Sequence, residues 1–271
     1  MGYSYMRFPG GRSKAVTLSY DDGTGTDRKL IEIMSKNGLK GTFNVNSGYF
    51  GSQPGGGKLT ASEALELYTS TGNEMAVHGY KHLNLTELDS AVATNDVLKD
   101  RIELEKLSGA PVRGMAYAYG SYNDSVVEIL RICGIVYSRT VVSTERFDIP
   151  NDWLRLPATC HHNNPRLMEL AKQFIEAPNG QPRLFYLWGH SSEFNTNDNW
   201  HVIEEFASYV GNRDDVWYAT NMEIYNYVKA YDALQFAADG SFVYNPGVQD
   251  VCINYMGKEC TVCPGKVVSL V

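Results

Sequence analysis

Long apolar runs are missing from this chain. No stretch approaches the roughly 18 residues that a membrane span needs, and the opening MGYSYMRFPGGRSK lacks the apolar core of a secretion signal. The sequence as written is therefore expected to be soluble and cytoplasmic, or extracellular if a leader has been removed. Basic residues are in deficit, 24 Lys and Arg against 31 Asp and Glu for a formal charge of -7. That excludes the basic stripe with which a protein neutralises a phosphate backbone, so nucleic acid is not an expected partner. Cysteines number five, an odd count scattered through a chain too large to need disulfide staples, which favours a reducing compartment. The Cys260-Thr-Val-Cys263 pair has no second CxxC or CxxH to complete four zinc ligands, and Cys252 would leave the set one short, so a structural or incidental role is expected. Histidine is scarce too, at six residues, which gives weight to where each one falls.

What is present suits one large core: 271 residues at 43% hydrophobic content, a length that α/β barrels use for a single domain. Short β-branched and aromatic runs predict strands at Ala15–Tyr20, Gly41–Val45, Glu74–Val77, Arg113–Ala118, Ile135–Arg139, Leu154–Thr159, Leu184–Trp188 and Val216–Ala219. Helical spacing between them predicts helices at Asp27–Asn37, Thr86–Leu107, Ser125–Cys133, Leu167–Ala177, Val202–Val210 and Asn221–Tyr231. This alternation is the signature of a parallel sheet covered by helices. After about Leu234 short alternating runs follow, Ser241–Tyr244, Asp250–Tyr255, Glu259–Val262 and Lys266–Leu270, broken by Pro-Gly turns. The expected organisation is a barrel over 1–235 with a small β extension, 236–271, packed on it.

The carboxyl end of nearly every predicted strand carries a polar or ionisable group, and in α/β barrels that face builds the active site. Asp21-Asp22-Gly23 follows the first strand. Alone it reads as a turn, but two adjacent carboxylates whose side chains diverge also suit two jobs, one as metal ligand and one as base. His78-Gly-Tyr-Lys-His82 follows the third strand and sets two imidazoles at i and i+4 on one side of a turn, a spacing suited to zinc or a similar ion. With one Asp this makes a three-ligand set that leaves positions open for water and substrate. His190 stands just past the apolar strand containing Phe185, Tyr186 and Trp188, where a proton donor to a leaving group could act. A core histidine is the ordinary alternative there.

Together these segments resemble the polysaccharide deacetylase family, the NodB-homology domain of carbohydrate esterase family four, over residues 10 to 231. The resemblance implies a distorted (β/α)7-8 barrel, one divalent cation (zinc first; cobalt, nickel or manganese also suitable) and an acetylated carbohydrate substrate. It makes Asp21 the base, Asp22, His78 and His82 the ligands, His190 the general acid, Leu187 part of an acetyl pocket and Tyr119 a backbone donor to the oxyanion. Two departures stand out: Gly79 replaces a hydroxyl residue in His-Ser/Thr-x-x-His, and Ala116 occupies the position of the arginine that orients the base. Arg139, at the end of the next strand, is the expected substitute, ahead of Arg113. Asp152-Trp153 resembles a further motif but precedes a strand instead of following one. His161, His162, Trp188 and Glu193 are candidate sugar contacts, with Asn195 and Trp200 nearby. A cyclic-amide or allantoinase-type hydrolase on the same fold is the competing reading, and a non-catalytic sugar-binding module a more distant one.

Overall fold

The computed structural model describes residues 4–52 and 57–271. After a first strand, β1 (Ser4–Arg7), the chain runs through β2 (Lys14–Asp21), α1 (Asp27–Lys36), β3 (Gly41–Val45), α2 (Ala61–Thr69), β4 (Glu74–Val77), α3 (Ser90–Ser108), β5 (Gly114–Ala116), α4 (Asp124–Ile132) and β6 (Tyr137–Ser143). It continues with β7 (Leu156–Ala158), β8 (Cys160–His161), α5 (Leu167–Glu176), β9 (Arg183–Gly189), α6 (Ser191–Thr196), α7 (Trp200–Val210), β10 (Val216–Tyr218) and α8 (Asn221–Asp232). All eight predicted barrel strands form. β7 and β8 are one extended segment interrupted at Thr159, pairing with β6 on one side and with β9 on the other. That double pairing closes the parallel order β2-β3-β4-β5-β6-β7 back through β9 to β2. β10 pairs with the lower half of β2, below the point where β3 takes over. The result is the distorted barrel of the NodB type.

Period-two alternation sorts each strand's side chains. On β2, Val16, Leu18 and Tyr20 face the helices and join the large outer core, whereas Ser19 and Asp21 point inward. On β9, Leu184, Tyr186 and Trp188 fill the interior and Phe185 and Leu187 lie under the helices. The six predicted helices all form within a few residues of their expected ends. Missing from the sequence reading were α2, opened by a Thr60–Glu63 capping box, and the short α6.

Beyond α8, β11 (Gln235–Phe236), β12 (Phe242–Tyr244) and β15 (Val267–Ser269) form one antiparallel sheet. β13 (Val251–Tyr255) and β14 (Lys258–Val262) form another, and β1 joins its edge with Ser4 opposite Tyr255. Residues from the chain's start thus share a sheet with the expected C-terminal extension. Among the described residues no helix is long and apolar enough to cross a membrane, and all five cysteines are free thiols.

Candidate active site

Asp21 ends β2 with its carboxylate buried in the barrel mouth. Asn44 donates to Oδ1 at 2.8 Å, and the buried Arg139 guanidinium, reaching in from β6, donates to Oδ2. Arg139 is itself held by the Ser19 hydroxyl and the Thr140 carbonyl. Trp188 lies against it with 4.3 Å from ring centre to guanidinium carbon, a cation–π contact strengthened by burial. Burial alone would raise the Asp21 pKa, but the charge on Arg139, then His78 and His190, outweighs it and holds the acid at about 2. Asp21 is therefore ionised at any physiological pH. The arginine expected from β5 is supplied by β6 instead, and Ala116 contributes only its carbonyl, 2.9 Å from His78 Nδ1. Arg113 lies exposed at the far end of the barrel, bonded to the Gly134 carbonyl.

That Ala116 contact fixes the His78 ring with Nε2 directed at the carboxylates, 3.9 Å from both Asp21 Oδ2 and Asp22 Oδ1. His82 Nε2 stands 3.7 Å from Asp22 Oδ1. Ligand atoms of Asp22, His78 and His82 all lie within 4.8 Å of one another, a spacing that one cation at their centre can span. Burial and the neighbouring His78 push the His82 pKa down to about 4, so its lone pair is available at neutral pH. Two imidazoles and a carboxylate fit zinc or another borderline divalent ion. The backbone is bent to achieve this, with Asp22 at φ 82° and His82 at φ 50°, in a region that side chains usually avoid.

The loop that lacks its hydroxyl residue is braced by acids the sequence reading passed over. Asp100 accepts from the His78 N–H at 3.0 Å and from the Ser47 hydroxyl, and Asp96 accepts from the Lys81 N–H at 2.9 Å. Asn46 donates to the carbonyls of His78 and Gly79. A Cβ at position 79 would come within 2.7 Å of Asp96 Oδ2, and φ there is +84°, so glycine and the Asp96 brace belong together. On α3 the buried positions are Ala93, Asp96, Val97, Asp100 and Leu104. Two carboxylates on an otherwise apolar stripe were the available signal.

His190 follows β9 with Nε2 3.9 Å from Asp21 Oδ2 and Nδ1 3.2 Å from Glu193 Oε1. Burial by itself would lower its pKa; the hydrogen bond to Glu193 and the charges of Asp21 and Asp22 outweigh that and hold it above the ordinary histidine value. The loops of the base and the acid are also joined. Asp27 accepts from Tyr68 and from Ser191, and Ser191 meets Thr24 and Thr26. Burial raises the Asp27 pKa to about 7.

Several expected sugar contacts sit elsewhere. His162 is fully buried, stacked between Tyr20 and Phe194, because residues alternate at the end of β8; it cannot touch a substrate. Leu187 is on the face of β9 opposite Trp188, buried with its pairing partners Leu18 and Cys160 under the helices instead of in an acetyl pocket. Trp188 is mostly buried over Arg139, and Glu193 is engaged by His161 at 3.1 Å, His162 at 2.9 Å and His190. Asn195 accepts from Trp200. Asp152 pairs with Arg155, and Trp153 packs with Leu156 and Ile224 in the barrel interior, so this pair takes no part in the mouth. Tyr119 is at the rim, 66% exposed, its ring 4.5 Å from that of His82 and its φ at 58°.

Residues 9–138 match the polysaccharide deacetylase domain. This span includes Asp21, Asp22, His78, His82 and Tyr119 and stops just before Arg139. Over that stretch, just under half of the chain, the sequence is that of a polysaccharide deacetylase domain. A chitin deacetylase of Arthroderma benhamiae is 30% identical over 116 residues, 41% of this chain but only 29% of the fungal protein. The fold matches a polysaccharide deacetylase structure from Mycobacterium smegmatis at TM-score 0.60 and 19% identity, over 86% of this chain and 96% of that one. It also matches a family 4 carbohydrate esterase from Streptomyces lividans in complex with acetate, at TM-score 0.51 and 19% identity, over 73% and 88%.

Proposed function

We propose that this chain is a metal-dependent hydrolase that removes N- or O-acetyl groups from a carbohydrate. The observation that carries the reading is the convergence of Asp21, His190 and the Asp22–His78–His82 set on one barrel mouth, with 3.9 Å from Asp21 to both His78 and His190. A divalent cation bound by the three ligands would polarise the acetyl carbonyl and acidify the attacking water. Asp21, kept ionised and aimed by Arg139 and Asn44, accepts the proton of that water. His190, its pKa held up by the hydrogen bond to Glu193, donates to the departing amine or alkoxide. The exposed Tyr119 ring offers a stacking face for a sugar at the rim, and its left-handed backbone turns the loop toward His82.

The test is acetate release from N- and O-acetylated oligosaccharides, run beside ring opening of cyclic amides and metal analysis of the same preparation. Acetate release with about one tightly held equivalent of metal in the protein as purified is expected, with the activity and that equivalent both lost in His82→Ala. Ring opening without acetate release would transfer the protein to the competing hydrolase class. The departures at Gly79 and Ala116 have substitutes in Asp96, Asp100 and Arg139.

Glu193→Gln gives a separate check on the acid. A general acid works only while protonated, so activity falls as pH rises through the His190 pKa. Removing a carboxylate that holds the proton lowers that pKa, and the alkaline limb of kcat/KM against pH should move to lower pH. An unmoved limb would remove His190 from the donor role or Glu193 from its support.

A further inference from the structure

Beside the Asp22–His78–His82 set, a second group of ligand atoms gathers where β8 and α6 meet. His161, His190 and Glu193 each present one such atom, all within 4.8 Å of one another. His161 Nε2 is 3.1 Å from Glu193 Oε2, and His190 Nδ1 is 3.2 Å from Oε1. Atoms bound tetrahedrally at zinc distances of roughly 2.0–2.2 Å stand about 3.3 Å apart, so with Glu193 offering one oxygen to each histidine the group is close to the spacing that a shared cation would impose. Behind them, the fully buried His162 has neither ring nitrogen in an aligned hydrogen bond, although its Nε2 stands 2.9 Å from Glu193 Oε2. Its Nε2 is thus turned to the same carboxylate as His161 and His190, and its burial favours the neutral form.

The rings are fixed in place. His161 sits edge-on to Trp188 with centroids 4.6 Å apart, and His162 is clamped between Tyr20 and Phe194. Gly189 makes room, since a Cβ there would lie 2.0 Å from His162 Nδ1.

We infer that His161, His190 and Glu193, backed by His162, form a second site for a zinc-like divalent cation, and that filling it switches the enzyme off. The entering ion takes the His190 Nδ1 lone pair and releases that nitrogen's proton to solvent. Glu193 becomes a ligand and no longer supports an imidazolium. A metal-bound imidazole holds its remaining Nε2 proton far more tightly than an imidazolium does, so the leaving group loses its donor. The binding half of this inference stands on the geometry alone; the inhibitory half rests on the proposed role of His190.

Equilibrium dialysis of the full chain against zinc, with metal counted by mass spectrometry, separates the two halves. The wild type should hold two equivalents of unequal affinity. His161→Ala and the more conservative Glu193→Gln should each keep one, whereas His82→Ala should lose the other and keep this one. Acetate release by the wild type should fall tenfold or more as the second equivalent binds, while whatever activity His161→Ala retains should not respond to the same zinc. One equivalent in the wild type, or a second that persists in both His161→Ala and Glu193→Gln, overturns the site. Two equivalents with undiminished acetate release overturn the switch and leave the site standing.

Discussion

Replacing Asp21 with asparagine is expected to lower kcat by roughly 10²–10⁴-fold, the usual contribution of a positioned base, with metal content at the wild-type level. The amide oxygen can still accept from Asn44 or Arg139, so the side chain keeps its place. What it loses is the capacity to take a proton. On the proposed mechanism the ligand role falls to Asp22, whose left-handed backbone turns its carboxylate toward His78 and His82. Parallel measurement of acetate release and bound metal distinguishes the two aspartates: full turnover in Asp21→Asn would remove the base, and loss of metal would make Asp21 a ligand.

Arg139→Met should be the most damaging single change to stability. Methionine roughly preserves the apolar stem but leaves Asp21 as a buried charge whose main counter-charge is gone, a situation that typically costs about 3–5 kcal/mol. The sign with pH follows from the Asp21 shift. Its wild-type pKa, lowered to about 2, makes the ionised carboxylate stabilising above its unfolded value of 3.8, and that stability fades as pH falls toward 2. Without the guanidinium, burial dominates, the folded pKa rises, and the same charge becomes destabilising near neutrality. Denaturant unfolding should therefore show a deficit that is large at pH 7 and shrinks toward pH 4. A deficit independent of pH would mean that Arg139 acts by packing against Trp188 alone. Acetate release should fall as well, because the base is no longer aimed.

The barrel was legible because its strands are short, apolar and separated by helices of ordinary spacing. Asp21, Asp22, His78, His82 and His190 were legible because ionisable residues directly follow those strands. Arg139 could be named from its place at the end of the strand after Ala116. Less visible was the use each group makes of its neighbours. Trp188 looked like a sugar platform, but its alternation with Leu187 turns it inward onto Arg139. His161 and His162 looked equivalent, yet one residue of strand period buries the second completely. Glu193 looked like a hydroxyl ligand for sugar; its place one helical turn after His190 brings it back to that imidazole, a local i, i+3 relation available in the sequence. The Asp96 and Asp100 braces depend on packing α3 against the loop after β4, a long-range contact that no local pattern announces.

The segment Leu156–His162 joins β6 to β9 and delivers two histidines that hold Glu193. On the proposed mechanism, the pairing that seals the barrel also braces the carboxylate beside the proton donor, so a substitution that loosens this seam should weaken the acid without touching the metal ligands.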